Sequence, residues 1–268
     1  MKTDMRIYNP EGSRLRHDQL EMVKVMQVFS EICKKHDIKW WLCSGTLLGA
    51  VRHGGFIPWD DDVDVSMLEE DYRKLQKVLK KLGKEDEYFF QSIQTDPDHY
   101  YRFGKFLRKG ESIPTYARFY QQKGIGLDVF YIVKSSQFAA HMGKFFYLNM
   151  VNPAKYMNNT FWRHLYIRFV QVINFGLLLP LTRLVGLINP KNDYHYQLGT
   201  GFYNQAFHVE EIFPLTTIKF EGVEFPAPKD MDSYLTRMYG DWRTLPSEED
   251  IRRSIHSPIY RKERYGKE

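Results

Sequence analysis

Between His17 and His36 the apolar residues Leu20, Val23, Met26, Val28 or Phe29, and Ile32 recur at helical spacing, which predicts an amphipathic helix lying on a core. Residues 1–14 ahead of it read as an irregular arm. The short apolar run Ile38–Cys43 reads as a strand, and TLLGAVRHG as a helix with Thr46 at its N-cap. From Asp62 the chain alternates Asp, Val, Asp, Val, the two-residue period of a strand. EEDYRKLQKVLKKL, Glu69–Leu82, predicts a helix closed by Gly83, with its lysines late. Tyr88–Gln94 and Tyr100–Arg108 read as strands paired around Asp96-Pro97-Asp98, and Gly124–Tyr131 as an apolar strand. Residues 137–190 are helix-rich. Ile218–Phe220 and Val223–Phe225 predict a hairpin around Glu221-Gly222, and Pro228–Tyr239 a last helix stopped by Gly240.

One helical stretch needs a decision of its own. FVQVINFGLLLPLT is an apolar run of 14 residues between Arg168 and Arg183, shorter than the roughly 18 needed to span a bilayer and interrupted by Pro180. A buried core or lid helix is therefore expected. The competing reading is a segment resting on an anionic membrane surface, suited by Arg163, His164, Arg168, Arg183 and Lys191.

Composition narrows the classes. With 43% apolar and 26% charged residues in 268, the chain is ordinary globular protein, long enough to bury a full core. A net charge of +5 favours anionic partners such as nucleotides, phosphorylated glycans or an anionic membrane face. No nucleic-acid-binding module is present, so nucleic acid is not expected as a partner. Cys33 and Cys43 have neither metal spacing nor a disulfide framework and read as buried free thiols. MKTDMRIYNPEG has no apolar signal region, so the expectation is a cytoplasmic protein, at most peripheral on the inner face of a membrane.

The chemistry concentrates in Trp40–Met67. Ser44-Gly45-Thr46 leads into a helix whose N-terminus offers unpaired N–H groups and a favourable dipole to a phosphate, and Gly45 permits close approach. On a strand, Asp60, Asp62 and Asp64 point one way while Asp61, Val63 and Val65 point the other. Carboxylates that close repel and raise one another's pKa unless a cation lies between them, and hard oxygen ligands beside phosphate suit Mg²⁺ or Mn²⁺. A calcium loop is excluded: Asp60, Asp62 and Asp64 fit its positions, but Val65 replaces the required glycine and Asp71 the closing glutamate. A solvated acidic turn is disfavoured by the interleaved valines. Asp128 is a lone acid in an apolar strand, where an unpaired carboxylate is costly to bury, and so points to function. Arg102, Lys105 and Arg108 offer cations, with Arg102 and Arg108 on one strand face and Lys105 on the other; an ordinary solvated face competes. His53 and His256 are lone histidines, read as polar contacts.

GTLLGAVRHGGFIPWDDDVDV resembles the signature of the LicD family of phosphotransferases, related to fukutin-related protein. Tyr239-Gly240-Asp241-Trp242 with Pro246 resembles that family's closing motif, whereas residues 136–200 match nothing. The resemblance implies an α+β nucleotidyltransferase (DNA polymerase β-like) fold: a mixed central sheet, flanking helices and a helical insertion. It divides the chain into a catalytic core (1–135), a helix-rich insertion (136–200) and a C-terminal part completing the core (201–268). It assigns Gly45 and Thr46, with Ser44, to the phosphate turn and Asp62 and Asp64 to a D-x-D metal motif supported by Asp60. Asp128 becomes the third carboxylate; from the residues themselves, Arg52 is the nearest candidate counter-charge and Lys105 a candidate substrate-binding cation. The implied activity is metal-dependent transfer of phosphocholine, or a similar phospho-alcohol, from CDP-choline or another CDP-alcohol to a hydroxyl of a surface glycan. Teichoic acid or lipopolysaccharide precursors, some lipid-linked, are the implied acceptors. Transfer of the nucleotide itself, or nucleotide or glycan binding without catalysis, remain as alternatives on the same fold.

Overall fold

The computed structural model describes residues 8–82, 86–96, 98–110, 124–188, 193–196 and 206–266. In chain order these form α1 (Arg14–Lys35), β1 (Trp41–Leu42), α2 (Ser44–His53), β2 (Asp64–Leu68), α3 (Glu69–Leu79), β3 (Tyr88–Gln91), β4 (Gly104–Lys109) and β5 (Gly124–Lys134). Next come α4 (Gln137–Phe146), α5 (Thr160–Ile173), α6 (Leu179–Ile188), β6 (Asp193–Tyr196), β7 (Phe207–His208) and α7 (Val209–Ile212). The chain closes with β8 (Thr216–Phe220), β9 (Val223–Ala227), α8 (Met231–Tyr239), α9 (Glu248–Ser254) and α10 (Pro258–Tyr265).

The central sheet runs β1-β2-β5-β4-β3, and β6 pairs with the far end of β5 and with β7. It is mixed: β2 and β5 are parallel, and the other pairs are antiparallel. This is the α+β arrangement, a mixed central sheet with flanking helices, expected from the family resemblance. β5 is its spine, and its buried Leu127, Val129 and Ile132 explain why the strand reads as apolar throughout.

α1 starts where Ser13 accepts a hydrogen bond from the Arg16 amide, and it buries Met22, Val23, Met26, Phe29 and Cys33. Leu20, counted in the predicted stripe, is instead 43% exposed, so the buried face is rotated away from it. The strand predicted over 38–43 shrinks to Trp41–Leu42. α3 ends at Leu79, and the predicted cap Gly83 and turn residue Pro97 lie outside the described residues. Arg102 precedes β4, so it shares no strand face with Arg108; it is buried with its guanidinium over Phe175, while Arg108 pairs with Glu21.

The hairpin β8–β9 forms as predicted, with Glu221 and Gly222 both at positive φ, as a tight two-residue turn requires. The Glu221 side chain accepts from Arg16 at the start of α1 and from the Phe56 amide, binding hairpin, helix and the loop ahead of the acidic stretch together.

Residues 137–188 are helical as predicted, but Pro180 does not break them. A π-turn over Asn174–Leu178 joins α5 to α6, which accommodates the hydrogen bond that Pro180 cannot donate. The resulting helix, Thr160–Ile188, is long and apolar enough to cross a membrane by length and composition, yet only 17% of its most apolar stretch is buried. The expectation that this helix is buried in the core is therefore corrected. A small separate core of Phe146, Tyr147, Val151 and Val170 holds α4 to α5.

Candidate active site

The backbone of the acidic stretch is positioned by α1 and by the start of α2. Gln19 of α1 donates to the Asp60 carbonyl at 2.8 Å. Gly49 lets residues 55–57 lie against α2: a Cβ there would fall 2.4 Å from the Gly55 carbonyl oxygen. Thr46 is not the helix N-cap predicted from its position. The helix begins at Ser44, Cys43 is the capping residue, and the Thr46 hydroxyl accepts from the Asp64 amide at 2.8 Å. With the Cys43 amide donating to the Asp64 carbonyl at 3.2 Å, both backbone groups of Asp64 are tied to the start of α2.

Ser44 is held at φ 51°, a left-handed conformation costing on the order of 1–3 kcal/mol and found preferentially at functional sites. Its side chain is buried and donates to the Cys43 sulfur. Gly45 is required in a specific sense: a Cβ would lie 2.7 Å from an Asp60 carboxylate oxygen, which occupies the space at the helix N-terminus.

Asp64 on β2 and Asp128 on β5 are register partners, and Lys105 on β4 is the register partner of Asp128 from the other side. A single row across three strands therefore reads Asp64, Asp128, Lys105. Lys105 Nζ lies 2.5 Å from Asp128 Oδ1. Asp60, Asp62 and Asp64 line one open cleft of about 730 Å³, together with Gly45, Leu48 and Arg52 of α2. Tyr239, Asp241, Trp242 and Pro246, the residues of the predicted closing motif, form its opposite wall. Arg52 touches none of the carboxylates through a hydrogen bond described here; it donates to the Trp242 carbonyl at 3.2 Å and to His53 at 3.0 Å, so it holds the tail motif to the cleft.

The strand predicted from Asp62 begins only at Asp64, so residues 60–63 precede it. Asp61 does not line the cleft, yet its carboxylate shares His256 with Asp62 rather than facing away from it. Asp61 is buried and accepts from the backbone amides of His256 at 3.2 Å and Ser257 at 2.5 Å, anchoring the C-terminal segment. That brings His256 Nδ1 to 2.9 Å from Asp62. His256 is thus no isolated polar contact, and nothing near it in sequence signalled this; its partner is nearly two hundred residues away.

The charges conflict. Burial, then Asp62 and Asp61, push the Asp60 carboxyl well above the usual range. Burial, then Asp62 and Asp128, do the same to Asp64. Burial also raises Asp128 despite Lys105 beside it. Burial would raise Asp62 too, but the charge and hydrogen bond of His256 outweigh it and hold Asp62 low. The same carboxylates push His256 up to about 12, so it is a cation here.

Asp61, Asp62 and His256 bring one ligand atom each within 4.8 Å of one another, a group able to hold a metal ion. Asp61 already accepts two amide hydrogens, and His256 Nδ1 is already engaged with Asp62. The donor chemistry therefore falls chiefly on Asp62 and its like-charged neighbours, three of which carry the raised pKa that a bound cation relieves.

Residues 37–165 match the family described as LicD/FKTN/FKRP, nucleotidyltransferase domain. This chain carries a LicD-family domain. The match contains the acidic stretch, Asp128 and Lys105. The lipopolysaccharide cholinephosphotransferase LicD of Haemophilus influenzae is 25% identical over 260 residues, spanning 88% of this chain and 94% of that protein. An uncharacterized protein of Rickettsia prowazekii is 26% identical over 224 residues, 83% of this chain and 55% of its own. The human ribitol 5-phosphate transferase FKRP is 56% identical over 41 residues, 15% of this chain and 8% of that protein. The LicD-family resemblance thus extends well beyond the short signature, to relatives that are themselves named as transferases.

Proposed function

We propose that this LicD-family protein transfers a phospho-alcohol, phosphocholine first, from a CDP-alcohol to a glycan hydroxyl. The acceptor oxygen bonds to the phosphorus carrying the alcohol, the anhydride bond to the other phosphorus breaks, CMP leaves with the electron pair, and the hydroxyl proton passes to a base. The observation that carries this reading is the convergence of Asp60, Asp62 and Asp64, with Asp128 in register beside Asp64, on a cleft walled by the tail motif. The mixed sheet bearing that acidic row supports a nucleotidyltransferase (DNA polymerase β-like) fold.

Asp62, Asp64 and Asp128, with Asp60 in support, would hold Mg²⁺ or Mn²⁺, which supplies neutralisation of charge on the transferred phosphate. Asp128, raised by burial, is suited to take the proton from the acceptor hydroxyl, while Lys105 fixes its carboxylate. The N-terminus of α2 at Gly45 offers its amides to the donor phosphates once Asp60 moves aside. Arg52 contributes positive charge to the same cleft. CDP-choline leads among donors because the relative spanning most of the chain is named a cholinephosphotransferase; a ribitol phosphate donor is the competitor suggested by FKRP.

The test is phosphorus NMR of a mixture of CDP-choline, CDP-ethanolamine, CDP-glycerol and CDP-ribitol with Mg²⁺, with and without EDTA. Slow metal-dependent conversion of one donor to CMP and phospho-alcohol is expected. No turnover of any donor, with nucleoside triphosphates consumed instead, would move the assignment to transfer of the nucleotide. Wild-type activity in Asp64→Asn would end the catalytic reading altogether.

A further inference from the structure

The outer side of α4–α6 is apolar and faces solvent. Phe161, Phe169, Val172, Leu177, Leu184 and Ile188 are spread along the length of the long helix and are 56–81% exposed. Phe138, Phe145 and Leu148 of the preceding helical stretch are likewise 51–66% exposed. A soluble monomer seldom leaves so continuous an apolar surface in water.

The inner side of the same helix is pinned to the domain at three levels. Near its start, Arg163 forms a buried pair with Asp98 at 2.5 Å, joined by His164 at 2.8 Å. In the middle, Arg102 stacks on Phe175 at 3.9 Å. Near its end, Arg183 pairs with Glu69, and Gly186 lies so close to the Lys134 backbone that a Cβ would fall 3.0 Å from its carbonyl oxygen. From Arg163 to Arg183 the helix rises roughly 30 Å. That equals the thickness of a bilayer's hydrocarbon core, about 30 Å. A spanning orientation would drag these ion pairs and the underlying sheet into hydrocarbon.

Charge decides the occupant. Residues 131–192 contain seven Lys and Arg and no Asp or Glu, in a chain with 33 acidic residues. Asp98 and Glu69 from outside this segment meet Arg163 and Arg183, while Lys144 and Arg168 stand exposed beside the apolar face. A second copy would bring the same basic rim against it, and like charges oppose that pairing. Anionic headgroups complement it.

We propose that α4–α6 is a monotopic anchor: its outer face enters one leaflet of an anionic bilayer, with the long helix in the membrane plane and Lys144 and Arg168 on the headgroups. This surface is separate from the acidic cleft, and its failure would leave the proposed chemistry untouched.

Flotation of the full chain with vesicles tests it, using phosphatidylcholine with and without one third phosphatidylglycerol. Binding to the anionic vesicles, weakened by salt and about tenfold poorer to the neutral ones, is expected. Phe169→Glu combined with Val172→Glu and Leu184→Glu replaces exposed side chains only, so the fold, checked by circular dichroism, remains while binding falls by about tenfold or more. Equal binding to both vesicles, or a triple variant that floats like wild type, overturns the proposal. So does a wild-type protein that ignores vesicles but forms a dimer abolished by the triple variant. The in-plane orientation is read from Val172→Cys labelled with bimane; Cys33 and Cys43 are buried, which makes the introduced thiol selective. Stronger quenching by a nitroxide near the headgroup than by one near the acyl chain end is expected, and the reverse order would make the helix span.

Discussion

Thr46→Val distinguishes two roles for one hydroxyl. Sequence position suggests that Thr46 binds donor phosphate; the structure makes its Oγ1 the acceptor for the Asp64 amide at 2.8 Å, with the side chain 2% exposed. Valine keeps the shape and removes the acceptor, so the Asp64 N–H is left buried without its partner. Such a group costs about 1–3 kcal/mol. For a chain near this size each kcal/mol moves the melting temperature by roughly 2–4 °C, so a fall of about 2–12 °C is expected. Thr46→Ser, which keeps the hydroxyl and loses a methyl group, should cost about 1 kcal/mol. Thermal melts of the three proteins without metal, followed by Mg²⁺ titrations, separate the cases. The strand-pinning role predicts that Thr46→Val loses both stability and Mg²⁺ affinity while Thr46→Ser stays near wild type. If Thr46→Val melts with Thr46→Ser and only its KM for donor rises, the hydroxyl serves phosphate and the reasoning here is wrong.

Asp64→Asn should abolish turnover yet raise the melting temperature of the metal-free protein at pH 7, because burial and its like-charged neighbours disfavour the Asp64 carboxylate; Mg²⁺ should then stabilise wild type more than the variant, by differential scanning calorimetry. Arg163→Met leaves Asp98 buried without its charge partner and should cost about 3–5 kcal/mol in urea unfolding, whereas a loss below about 1 kcal/mol would show the pair to be dispensable. Burial pulls His99 down to about 3, so the folded state holds it neutral while the unfolded chain takes up a proton near the ordinary 6.5. The stability it contributes is complete above pH 6.5 and declines as pH falls toward 3, by up to about 5 kcal/mol at roughly 1.36 kcal/mol per pH unit. The gap in melting temperature between wild type and His99→Gln should therefore narrow on acidification; a pH-independent gap would contradict the buried neutral state.

Local pattern determined much of this protein. The run of aspartates interleaved with Val63 and Val65 marked the site, and Asp60, Asp62 and Asp64 do line one cleft, although only Asp64 lies on β2. An acid in the apolar run Leu127–Phe130 had to matter, and it is the register partner of Asp64. Glu221-Gly222 specified its hairpin because few residue pairs tolerate two positive φ values. Tertiary structure alone decided what depends on a distant partner. Thr46 became a strand pin only because the Asp64 amide lies over it. Arg52, which lines the cleft, also became an anchor for the tail through the Trp242 carbonyl. His256 became part of the acidic cluster because buried Asp61 captures its backbone. Pro180 looked like a break, but a π-turn absorbs the missing donor, and a helix apolar on both sides gives no sign in sequence of which side will meet protein. That choice was made by Asp98 and Glu69, whose carboxylates lie where they can hold Arg163 and Arg183 and leave the other side outward.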